Sequence, residues 1–134
     1  LRSLDDVSAI IEGLADGTID AISTDHTPCD KVLKRRPPED APFGMIMLES
    51  AFLIGVTNLV EKGYLSIYRL IDAMCFAPMR ILGIEYKNAS GINLFSLTDE
   101  TYASKAMFVG GYSNSAFEGW HFSGKLIKIF SCEW

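Results

Sequence analysis

Cysteine is scarce and scattered in this sequence. Its three cysteines, Cys29, Cys75 and Cys132, are odd in number and form no C-x-x-C, so neither a disulfide framework nor a thiolate zinc site is indicated. Positive charge is equally sparse. A net charge of -5 over 134 residues is the wrong sign for a nucleic-acid surface, and the only basic run, Lys34 to Arg36, leads into Pro37 and Pro38 as a solvated loop would. No window reaches the roughly 18 uninterrupted apolar residues of a membrane span, and the first residues lack the basic-then-apolar order of a signal peptide. No internal repeat or low-complexity tract is present. Also lacking is an initiator methionine, since the chain opens on Leu1 and Arg2 directly ahead of a helix signal; a missing beginning is expected. What remains is 49% apolar, enough for a packed core, and reduced thiols with an acidic balance point to a soluble cytoplasmic protein.

The pattern along the chain is that of an α/β protein. Ser3 is an N-cap, Asp5 and Asp6 suit the first turn, and Val7, Ile10, Ile11 and Leu14 follow at helical spacing before Gly17. The stretch TIDAIST, residues 18–24, reads as a short strand. Residues 25–44 hold Pro28, Pro37, Pro38 and Pro42 and no periodicity, which predicts a long loop of the kind that is usually functional or disordered. Leu48, Ala51, Phe52, Gly55, Val56, Leu59 and Val60 then predict a helix closed by Gly63. Ser66 caps another, with Ile67, Leu70, Ile71 and Met74 inward, which Pro78 is expected to break before a last turn. Residues 92–97, 106–109 and 125–130 read as short strands.

Three blocks could carry chemistry. STDHTPC, residues 23–29, gathers a carboxylate, an imidazole and a thiol where a strand runs into the long loop, and the carboxyl ends of parallel strands are where α/β proteins build sites. Asp25 suits two jobs there, zinc ligand and general base, but an aspartate at a strand end is as readily a cap or turn hydrogen-bonder. APFG, residues 41–44, is either an anion cradle at a helix N-terminus or a plain helix start with Phe43 tucked into the core. NSAFEGWHFSGKLIK, residues 114–128, reads as an aromatic turn docking on the core before a strand, with His121 no ligand.

These blocks, in this order and together with APMRILGI (residues 77–84), resemble dihydroorotases, the metal-dependent amidohydrolases that interconvert N-carbamoyl-L-aspartate and L-dihydroorotate in pyrimidine synthesis. The resemblance implies a C-terminal fragment of a TIM-type (β/α)8 barrel plus part of a small β-sandwich: residues 1–86 would be the last strands and helices, with a substrate loop over 25–44, and residues 87–134 the sandwich segment. A whole barrel takes about 250 residues. Asp25 matches the family's zinc-binding, proton-shuttling aspartate, Phe43 and Gly44 the pair whose backbone touches the substrate ring, and His26 a supporting position. Cys29 stands where many relatives carry a substrate-contacting histidine, a poor replacement because a thiol is a weak donor. Allantoinases are similar in carrying S-D-H-S-P-C here, but not in APFG or the NSAFEGW close. The LRS at residues 1–3 is similar to the tail of an N-P-P-L-R segment whose substrate-contacting Asn is absent, as are the H-x-H pair and the other metal ligands. The run from Gly91 to Asn93 is shorter than the family's G-x-D-A-D element, which bears on the sandwich.

The resemblance implies zinc as cofactor, a small cyclic amide as substrate, and as partners the missing N-terminal barrel portion, with a homo-oligomer or aspartate transcarbamoylase besides. The alternatives are a catalytically inactive scaffold or truncated product, or an allantoinase or dihydropyrimidinase relative. For the chain by itself no hydrolysis is expected, because one carboxylate cannot hold a catalytic zinc that takes about three protein ligands. Self-association or instability is expected from open strand and helix faces.

Overall fold

The computed structural model describes residues 3–85, 91–108, 112 and 114–131. The order is helices first, then a two-stranded ribbon. Helix α1 (Leu4–Asp16) begins as expected: Ser3 Oγ accepts from the Asp6 amide at 3.1 Å while the Asp6 carboxylate accepts from the Ser3 amide at 3.0 Å, a reciprocal capping box. It ends at Gly17, whose φ of 87° is left-handed. Of its apolar stripe only Leu14 is buried, beside Gly13, and Ile10 is exposed.

Residues 18 and 19 bend and residues 20–24 form no ladder among the described residues, so the expected strand is not formed there. A strand is completed by a neighbour, and here the bonding is to other elements: the Ile22 amide donates to the Ala73 carbonyl at 2.9 Å, and Arg69 donates to the carbonyls of Leu14 and Ile19, each at 2.7 Å. Within the loop that follows, Asp30 caps a single helical turn, α2 (Lys31–Lys34), accepting from the Val32 amide at 2.6 Å.

The long helix starts at Ala51 rather than Leu48, which is 64% exposed. Helix α3 (Ala51–Gly55) widens into a π-helical turn, Val56–Val60. Gly55 lets it approach the next helix closely, since a Cβ there would lie 2.7 Å from the Leu70 side chain. That next helix is α4 (Ile67–Ile71), capped by Ser66, whose Oγ accepts from the Arg69 amide at 3.1 Å. A second π-turn, Asp72–Phe76, joins it to α5 (Ala77–Leu82). Pro78 therefore does not break the helix. The widened turn before it relieves the clash between a proline ring and the carbonyl four residues back, so the chain runs on to Gly83.

Strands β1 (Gly91–Tyr102) and β2 (His121–Ser131) pair antiparallel, with irregularities after Leu94 and Ser96. The shortened run at its start is regularly paired, Gly91 with Ser131 through Asn93 with Ile129. The ribbon lies on α3 through Leu53, Ala103 and Phe122, with Phe52, Phe95 and Phe117 around them. Thr57 fastens it: its hydroxyl donates to the Leu53 carbonyl at 2.7 Å and accepts from the Ser123 amide at 2.9 Å. The strand expected over 106–109 is instead a 3-10 turn, Lys105–Met107, because Ala103 closes the pairing on Gly119 and Trp120 and no ladder partner lies beyond it among the described residues; Val109 lies outside them. The ribbon is the only sheet among the described residues, so neither a barrel nor a sandwich is closed by them. Among those residues, no helix is long and apolar enough to cross a membrane.

Candidate active site

Asp25 follows this segment with φ at 45°, the one non-glycine residue with positive φ among those described. Aspartate tolerates the left-handed region better than most residues, but the conformation still costs free energy and is held by its surroundings. The Thr27 hydroxyl donates to the Asp25 carbonyl at 3.1 Å. The carboxylate is exposed and takes no hydrogen bond among the described residues.

Immediately after it the chain is bonded to the far side of the loop. His26 and Met45 form an isolated parallel bridge, and the Thr27 amide donates to the Met45 carbonyl at 3.0 Å. His26 Nδ1 accepts from the amides of Met47 at 3.1 Å and Leu48 at 3.0 Å. An imidazole nitrogen that accepts two N–H groups carries no proton, so the proton of the neutral ring sits on Nε2. These bonds also explain why the helix starts late.

Gly44 has φ at 90°, and a Cβ there would come within 2.3 Å of Thr27 Cβ. Only glycine fits so close a crossing of the two arms. Phe43 beside it is 92% exposed, which overturns the reading of a core phenylalanine. Nor is Gly44 at a helix N-terminus: the bonded stretch to Leu48 separates it from α3, so neither the anion cradle of helix amides nor a plain helix start is formed there.

Cys29 is 8% exposed, and its thiol donates to the Asp30 carbonyl at 3.5 Å. Its amide donates to Asn114 Oδ1 at 3.2 Å, while Asn114 Nδ2 donates to the Gly44 carbonyl at 3.4 Å. Lys31 pairs with Glu118 at 3.4 Å, and Lys34 donates to the Pro42 carbonyl at 2.6 Å. All three sequence blocks thus meet around one loop. Asn114 had been read only as the opening of an aromatic turn; its one acceptor and two donors could have hinted at a bridge, but its partners are 85 and 70 residues away.

Among the described residues no three His, Cys, Asp or Glu side chains converge as a metal site. Asp25 offers one unengaged carboxylate, and His26 has its Nδ1 committed to backbone. The donor set fits one ligand position of a shared centre.

No family model matches the chain. A dihydroorotase from Geobacillus sp. (strain WCH70) is 38% identical to it over 135 residues, covering 97% of this chain and 32% of that protein. The chain is homologous to the dihydroorotases. The dihydroorotase of Bacillus subtilis (strain 168) is 40% identical over 124 residues, covering 89% of the chain and 29% of the relative. The chain therefore spans about a third of the length of the dihydroorotases it matches. In fold it is similar to dihydropyrimidinase from Brevibacillus agri NCHU1002, with a TM-score of 0.81 at 24% identity over 98% of this chain and 31% of that one.

Proposed function

We propose that this chain supplies the proton-transfer carboxylate and the substrate loop of a dihydroorotase-type cyclic amidohydrolase. The observation that carries the reading is the bonding of His26 and Thr27, which follow the left-handed Asp25, to Met45, which follows the exposed Phe43 and Gly44, so that the two arms meet at the loop mouth. Residues 1–86 are then the last strand and helices of a (β/α)8 barrel, and residues 87–134 a share of a small sandwich. The segment over 18–24 is the barrel strand whose neighbours lie on the portion of the relatives that this chain does not match. The cytoplasm is the compartment this reading implies, and that N-terminal portion is the necessary partner; a second copy or aspartate transcarbamoylase would be an additional one.

In this reading zinc is the metal, and Asp25 holds one of its positions; when bound, zinc supplies Lewis acidity toward the ring carbonyl and the attacking water. The Asp25 carboxylate takes the proton from that water and delivers it to the amide nitrogen as the ring C–N bond breaks. Its lack of competing hydrogen bonds leaves both oxygens available for these roles. The backbone of Phe43 and Gly44 lies along the substrate ring and holds it. Cys29 is buried with its thiol turned to the Asp30 carbonyl, so its contribution is to loop shape and not donation to the ring.

The test is zinc content and dihydroorotate hydrolysis for this chain alone and mixed with the N-terminal portion of the Bacillus subtilis dihydroorotase. Activity in the mixture, absent from either part and lost on Asp25→Ala, is the expected result. No zinc and no turnover in either state would leave an inactive scaffold as the reading, and opening of dihydrouracil or hydantoin in preference to dihydroorotate would reassign the substrate.

A further inference from the structure

A loop with four prolines and one helical turn between Asp25 and Gly44 does not by itself fix how its two arms sit. Three bonds near its mouth tie His26 and Thr27 to Met45, Met47 and Leu48, just past its end. From outside the loop, Asn114 bonds both arms: Oδ1 accepts from the Cys29 amide at 3.2 Å, Nδ2 donates to the Gly44 carbonyl at 3.4 Å, and its own carbonyl accepts from the Ile46 amide at 3.3 Å. No other residue outside the loop bonds both arms among the described residues. Each bond is long, and the last two hold the chain on either side of the peptide that follows Gly44.

We propose that Asn114 is a positioning residue that sets the Phe43 and Gly44 backbone relative to Asp25 and so tunes substrate binding. The inference rests on the function proposed above. A carboxamide is suited to the task because it accepts toward one arm and donates toward the other, which no carboxylate, hydroxyl or ammonium does in the same plane.

Two measurements test it. In the chain, hydrogen exchange at the Cys29 amide should quicken by roughly tenfold in Asn114→Ala, and stay near the original rate in Asn114→Asp, which keeps the acceptor but loses the donor. In the mixture with the N-terminal portion, Asn114→Ala should raise KM for dihydroorotate by about tenfold with a much smaller change in kcat, and Asn114→Asp should raise KM as well, since it too loses the bond to Gly44. Unchanged exchange at Cys29 in Asn114→Ala would overturn the tether, and an unchanged KM in both variants would overturn the positioning role. Should Asn114→Ala not fold, Asn114→Asp decides through the KM arm. If the unsubstituted mixture is inactive, the function proposed above fails, while the exchange arm still decides whether Asn114 holds the loop.

Discussion

His26 shows how one side chain can set the geometry of a site without entering it. Its Nδ1 accepts from two successive amides, Met47 and Leu48, that would otherwise be orphaned ahead of α3. Asparagine places an acceptor at nearly the same distance from Cβ as Nδ1, whereas alanine leaves both amides unsatisfied. His26→Ala is therefore expected to destabilise the chain by about 1–3 kcal/mol, and His26→Asn by clearly less. Urea denaturation followed by circular dichroism checks the pair, and equal losses would show that ring packing, not acceptance, is what matters. The resemblance implies a supporting role for His26, and the two bonds are what such a role would rest on. Asn114 was not legible in the same way: nothing local distinguishes an asparagine that bridges two loop arms from one that ends a turn, because the partners are brought to it only by the docking of β2 on α3.

At the scale of elements, the caps at Ser3, Ser66 and Gly17 are legible because they are local chemistry, each acting within a few residues. The strand over 18–24 has no ladder among the described residues, and the strand over 106–109 and the break at Pro78 are not formed, because each depends on a neighbour. The junction of α4 and α5 adds a pH dependence. Asp72 is gripped by Arg80 at 2.8 and 3.1 Å and by Arg69 at 3.0 Å, and these bonds, Arg80 foremost, hold its carboxyl below the ordinary carboxylate value. A carboxylate depressed in the folded state stabilises it above the unfolded value, and the contribution is lost as pH falls through the lower folded value. Thermal melts should therefore show a fall below about pH 4 that is shallower in Asp72→Asn, which cannot titrate there. An identical acid limb in the variant would remove Asp72 from the account; Asp16, lowered chiefly by the Thr18 amide, would be the next group to test.

Over the whole molecule the core is small and one side of it is open. An apolar hollow of about 240 Å³ lies between residues 22–24 and the helices, lined by Ile22, Met47, Ile54, Leu70 and Met74 among others. On the ribbon, Ile92, Leu94, Ile127 and Ile129 are exposed. Apolar surface of this kind favours association, so sedimentation of the chain alone should show species larger than a monomer, diminished when the N-terminal portion is added. A monodisperse monomer melting cooperatively would refute this. The sequence by itself determined the helix limits set by caps, the two ribbon strands, the loop over 25–44, and the identity of the residues around Asp25. These follow from bonds and periodicities spanning a few residues, or from whole blocks similar to dihydroorotases. Only the tertiary structure decided that Phe43 is exposed, that Gly44 crosses against Thr27, that Pro78 continues a helix, and that Asn114 and His26 hold the loop mouth. Each of these depends on a group far away in the chain, and which donor meets which acceptor across that distance is fixed by packing.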